Sequence, residues 1–149
     1  MEPMTEPVRI TPQEAAERMA AGATYVDVRS EPEFAEGHPR DAINVPLLQM
    51  GPNGMVPNPD FLRVMLAVFP ADANLVVGCK SGGRSLRAAR ELLGAGFTSV
   101  VDQRAGWSGE VDAFGRVATP GWSRLALPSE TGEPEGRSYA AQCARAARS

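Results

Sequence analysis

A cysteine stands in a glycine-rich, cationic turn: Cys79-Lys80-Ser81-Gly82-Gly83-Arg84-Ser85. The apolar run Leu75-Val76-Val77-Gly78 precedes it, and the helical pattern Leu86-Arg87-Ala88-Ala89-Arg90-Glu91-Leu92-Leu93 follows. A strand that turns sharply into a helix places the joining loop at the helix N-terminus. There the backbone N–H groups lack intrahelical partners and the helix dipole favours negative charge. Thiols at such positions ionise more readily than free ones, whose pKa is about 8.5. An anionic group hanging from the sulfur is held by the same amides. Gly82 and Gly83 allow left-handed backbone and let several N–H groups converge as a nest. Lys80 and Arg84 add positive charge at the rim. The chemistry expected is that of a nucleophilic cysteine carrying an anionic load, with Cys79 as nucleophile and Lys80, Ser81, Gly82, Gly83, Arg84 and Ser85 as its cradle.

The spacing narrows that load. Four residues separate Cys79 from Arg84. Cysteine-dependent phosphatases have five, which lets a tetrahedral phosphoryl group fit inside the ring of amides. Four make a tighter ring that suits a single sulfur atom.

The elements that must hold this loop follow from capping and periodicity. Val8-Arg9-Ile10 reads as a short strand. Thr11-Pro12-Gln13-Glu14 is a capping box with proline at the first helical position, and Gly22 ends that helix. Tyr25-Val26-Asp27-Val28 is a strand. Ser30-Glu31-Pro32-Glu33 repeats the capping signature and predicts a short helix to about Glu36. Ala42 to Val45 is a third strand, and Asn53-Gly54 marks a turn within a Gly- and Pro-rich loop. Asn58-Pro59-Asp60 opens a helix that carries Phe61, Leu62, Met65 and Leu66 and closes at Pro70. The helix after the cysteine loop ends at Gly94 or Gly96, and Ser99-Val100-Val101 is the last strand expected. Alternating strands and helices predict an α/β fold: a central parallel sheet of about five strands with helices on both faces. Ligands in such sheets bind beyond the carboxyl ends of the strands, where Asp27, Arg29 and the Cys79 loop all fall. Trp122 is expected to pack on the core from a short helix over 120–125. Residues 1–128 form the expected domain, and 129–149 a polar tail, linker-like to Gly136, with a short helix or a frayed end over 139–148.

The bulk numbers exclude several classes. With 149 residues and 43% hydrophobic content, the chain is one domain with a real core. A net charge of −3 gives no support to a nucleic-acid or anionic-membrane partner. No apolar run approaches the roughly 20 residues of a membrane span, and the acidic, proline-bearing start is not a secretory signal. The two cysteines, Cys79 and Cys143, make neither a disulfide framework nor a zinc pattern. A soluble cytoplasmic protein is the default expectation.

Taken together, four segments resemble the single-domain rhodaneses, the thiosulfate sulfurtransferases. They are Val26-Asp27-Val28-Arg29; Gly37-His38 with Ala42-Ile43-Asn44-Val45-Pro46; the Cys79–Ser85 loop; and Gly106-Trp107. The resemblance runs from about Val8 to Leu127. It implies a rhodanese-like sheet and a two-step transfer. Cys79 takes the outer sulfur of thiosulfate or a related persulfide donor, releases sulfite, and hands the sulfur to a thiol or to cyanide. It implies no metal and no organic cofactor, with Asp27, Arg29 and Trp107 in support. One stretch departs from the family. His38-Pro39-Arg40-Asp41 stands where His-x-Pro-Gly is usual, so this turn is expected to differ in shape.

Bland roles compete at several positions. Arg84 either staples the loop to a carboxylate or binds anions. Asp27 and Arg29 suit ordering of the strand ends better than contact with substrate. Trp107 either lines the pocket or packs in the core, and the lone His38 fits a structural turn rather than a base. Cys143 reads as a surface thiol, with a resolving role as the alternative. Two other functions remain open on sequence grounds: a module that carries a persulfide for a protein partner, and a phosphatase or arsenate reductase, against which the loop length argues.

Overall fold

The computed structural model describes residues 6–148. Five parallel strands form the central sheet in the order β1-β8-β7-β2-β4. They are β1 (Val8–Ile10), β2 (Thr24–Asp27), β4 (Ile43–Asn44), β7 (Leu75–Gly78) and β8 (Val100–Gln103). Successive side chains on a strand point to opposite faces, so β7 feeds two cores. Leu75 and Val77 join one, and Val76 joins the other. The first core is closed by α3 (Phe61–Val68), α4 (Gly83–Gly94) and α5 (Tyr139–Arg148). The second is closed by α1 (Pro12–Ala20), α2 (Glu31–Glu36) and a 3-10 turn (Trp122–Arg124) that buries Trp122. Both expected capping boxes form, at Thr11/Glu14 and Ser30/Glu33.

The structure adds three pairings to those expected. The segment expected as a Gly- and Pro-rich loop is an antiparallel hairpin, β5 (Leu48–Gly51) with β6 (Gly54–Pro57). A second hairpin joins β9 (Gly109–Val111) to β10 (Val117–Pro120). β8 is therefore not the last strand. Neither hairpin shows a clean apolar–polar alternation, because much of each is exposed and no core dictates the pattern. The third pairing sets β3 (His38–Pro39) against β11 (Ser129–Glu130).

That last pairing draws in residues 129–148, which end in a helix and not in a frayed end. Tyr139 and Ala146 of α5 are buried in the first core. Asn58 donates from Nδ2 to the Tyr139 hydroxyl at 3.0 Å. Glu130 accepts from the buried His38 ring at 3.1 Å, from the Asp41 N–H at 3.1 Å, and from Arg137. Asp41, standing where the family pattern has glycine, takes φ 70°, a left-handed conformation that Asp tolerates better than most residues. No described helix is long and apolar enough to cross a membrane.

Candidate active site

Parallel register brings the strand ends to one rim. Asp27 lies beside both Gly78 and Asn44, and Val77 beside Asp102. Cys79 follows β7 at this rim, and its residue is only 3% exposed. Its sulfur sits in a closed ring of hydrogen bonds. The Gly82 N–H donates to Sγ at 3.1 Å, the thiol donates to Ser85 Oγ at 3.4 Å, and Ser85 Oγ donates to the Gly82 carbonyl at 3.3 Å. Gly82 is the N-cap of α4 with φ 103°. A side chain there would also collide with the Arg104 carbonyl. The left-handed glycine thus turns one amide onto the sulfur at the helix start. Ser81 and Gly83 lie exposed on the loop, and Ser85 is buried beneath it.

Arg84 is held in a two-pronged pair with Glu33 of α2, at 2.7 and 2.9 Å. Glu33 also accepts from the Ser30 N–H at 3.1 Å and the Ser30 hydroxyl at 2.9 Å. Burial acts to raise the Glu33 carboxyl, but Arg84 and Ser30 outweigh it and hold the group down to about 2. The same pair holds Arg84 above the ordinary arginine value. Of the two readings of Arg84, the geometry displays the staple. Lys80 is exposed, its side chain has no hydrogen bond or ion pair among the described residues, and it lines an open cleft with Arg84.

Asp27 and Arg29 form a buried pair. Arg29 Nη2 lies 2.7 Å from Asp27 Oδ2 and also donates to the Gly37 carbonyl. Arg29 stacks over Trp107, its Cζ 5.4 Å from the ring centroid. The Trp107 backbone N–H in turn donates to the Cys79 carbonyl at 2.8 Å, and the Ser108 backbone N–H donates to the Lys80 carbonyl at 2.8 Å. Asp27, Arg29 and Trp107 support the loop, and none of the three lines the cleft. Trp107 is partly buried against the second core. Gly106 makes the approach possible: its φ is 63°, and a Cβ would lie 2.5 Å from the Cys79 carbonyl oxygen.

Four supporting residues escaped the sequence reading. Glu33 was legible as a cap but not as the partner of an arginine 51 positions away. Arg9 donates to Asp102 at 2.7 Å and to the Gly82 carbonyl at 3.3 Å, bracing the loop from β1. Burial raises Asp102, and its contacts with Ser85 and Arg9 act the other way. Gln103 is fully buried and orders the Gly106 turn, accepting from the Ala105 and Gly106 N–H groups at 2.8 and 2.9 Å. No local sequence signal marks Arg9, Asp102 or Gln103, since each acts across the sheet or within an irregular turn.

Both cysteines are free. Cys143 is half-buried against the first core. Among the described residues, no group of three or more His, Cys, Asp or Glu side chains is placed to hold a metal ion.

Comparison with known proteins meets this geometry. The profile of the Rhodanese-like domain matches residues 11–112. Thiosulfate sulfurtransferase 16, chloroplastic, of Arabidopsis thaliana is 41% identical over 116 residues, covering 78% of this chain and 87% of that protein. Senescence-associated protein DIN1 of Raphanus sativus is 46% identical over 105 residues, which is 70% of this chain but only 55% of DIN1. The crystal structure of Rv0390 from M. tuberculosis superimposes with a TM-score of 0.71 at 30% identity, covering 86% of this chain and all of that one.

Proposed function

Because the chain belongs to the rhodanese-like domain family, we propose that it is a thiosulfate sulfurtransferase with Cys79 as nucleophile and sulfur carrier. The observation that carries the reading is the sulfur's position: Sγ takes an amide N–H at 3.1 Å from a left-handed glycine at the start of a helix. Relatives named as thiosulfate sulfurtransferases support sulfur transfer as the activity.

In the first step the Cys79 thiolate attacks the outer sulfur of thiosulfate. The S–S bond of the donor breaks and its electron pair leaves with sulfite. The outer sulfur stays on Cys79 as a persulfide. In the second step a thiolate or cyanide attacks that sulfur, and the pair returns to Cys79. One transfer is thereby split into two easier ones. Ser85 supplies a movable proton bond. Beside a thiol its hydroxyl accepts from sulfur and donates to the Gly82 carbonyl. Beside a thiolate the same hydroxyl rotates and donates to sulfur. The Gly82 amide and the α4 dipole stabilise the anion in both steps. With Arg84 occupied by Glu33, Lys80 is the cation left to draw in the donor.

The test is mass spectrometry after incubation with thiosulfate. The wild-type protein should gain the mass of one sulfur atom and Cys79→Ser should gain nothing; an unchanged wild-type mass refutes the proposal. A second reading, a persulfide carrier for a protein partner, draws support from the near-complete burial of Cys79. Full sulfur loading combined with very slow discharge to free thiols and cyanide would favour it.

A further inference from the structure

Thiosulfate and cyanide are small and carry no apolar body, yet the cleft beside the loop has an apolar wall. Met50 and Met55 are directly opposed across the β5–β6 hairpin, so their side chains stand on one face of it. They are 68% and 39% exposed. With Ser30, Pro32, Glu33, Glu36, Lys80 and Arg84 they line a cleft of about 350 Å3, a size that suits a small molecule. Methionine is flexible and polarisable and adapts to varied apolar shapes. The charges around the cleft are arranged unevenly. Lys80 adjoins Cys79, Arg84 is neutralised by Glu33, and Glu36 contributes a further carboxylate. An anionic reacting group is favoured beside Lys80, and a negatively charged body is opposed by Glu36.

Resting on the sulfurtransferase reading, we propose that the acceptor is a small thiol with an uncharged apolar body, which the Met50–Met55 pair binds while its thiolate reaches the Cys79 persulfide. The donor side needs no such wall, since thiosulfate has nothing to place on it. The acceptor thiolate R–S⁻ attacks the outer sulfur of Cys79–S–S⁻. The S–S bond to Cys79 breaks, its electron pair returns to Cys79 as thiolate, and R–S–S⁻ leaves. Charge and electrons balance without an oxidant or reductant.

The experiment uses a series from ethanethiol to n-hexanethiol, whose thiol groups are alike in basicity. Protein preloaded with sulfur is discharged by each thiol and the second-order rate constants are compared. Burying a methylene group is worth about 0.8 kcal/mol, so a half-covered chain should speed discharge about twofold per carbon. Met50→Ser/Met55→Ser should flatten that dependence, and a carboxylate at the end of the chain should slow discharge by the wild type. A flat series in the wild type, or an undiminished slope in the double variant, overturns the proposal. Loading with sodium polysulfide in place of thiosulfate separates the two claims, because a protein that loads only from polysulfide contradicts the donor assignment and still reports the slope. Calorimetry of n-alkanesulfonates on unloaded protein reads the same chain-length dependence without any turnover. A flat result there overturns the methionine wall even if no persulfide forms.

Discussion

Glu33→Gln removes the carboxylate that joins α2 to the Cys79 loop, and its effect can be worked out from the structure. Glu33 loses two charge-assisted bonds to Arg84, at 2.7 and 2.9 Å, while a neutral amide keeps part of the Ser30 cap. The carboxyl is held down to about 2 from an ordinary 4.5. Holding the carboxyl that far down corresponds to about 3 kcal/mol. The Glu33 side chain is 28% exposed, and screening by water reduces the figure to about 1–2 kcal/mol. Leaving the Arg84 guanidinium, only 20% exposed, without its counter-charge adds a desolvation penalty. The expected loss is therefore about 2 kcal/mol at pH 7. The pH dependence has a definite sign. A depressed carboxyl stabilises the fold above its unfolded value and loses that contribution as pH falls from about 4.5 toward 2. Urea unfolding of wild type and variant should thus differ most at neutral pH and converge in acid. A difference below about 0.5 kcal/mol at pH 7, or one that does not shrink between pH 5 and pH 3, would refute the argument. A double-mutant cycle with Arg84→Gln should assign most of the loss to the pair.

Two further outcomes are expected. Gly106→Ala forces a side chain into left-handed backbone and against the Cys79 carbonyl. It should cost about 3 kcal/mol or more in urea unfolding and slow sulfur loading, and a cost under about 1 kcal/mol would deny the tight docking of the Gly106 turn. Ending the chain at Ser138 strips Tyr139 and Ala146 from the first core and should lower stability by about 3 kcal/mol. An unchanged unfolding midpoint would make α5 an appendage instead of part of the domain.

Much of the site was legible because it is local. The loop Cys79–Ser85, the strand before it and the helix after it lie in one stretch of chain, and glycine, capping and periodicity each act over a few residues. The alternation of strands and helices likewise predicted a parallel sheet. The hairpins were not legible, because exposed strands lack the one-sided burial that writes a period into sequence. Met50 and Met55 consequently passed as residues of a loop.

The candidate centre is written in the chain itself: a thiol at a strand end, a four-residue ring before Arg84, and a helix start suited to an anion. Its chemistry depends on residue type and backbone freedom over a short span, and those are properties of the chain. How each charge is used follows instead from the three-dimensional packing. Arg84 is bound to Glu33, Arg9 braces the loop through Asp102 and Gly82, and Lys80 is left facing the cleft. Those partners lie tens of residues apart. Their pairing is set by sheet order and helix packing, which bring distant side chains within hydrogen-bond distance and leave no local pattern to announce it.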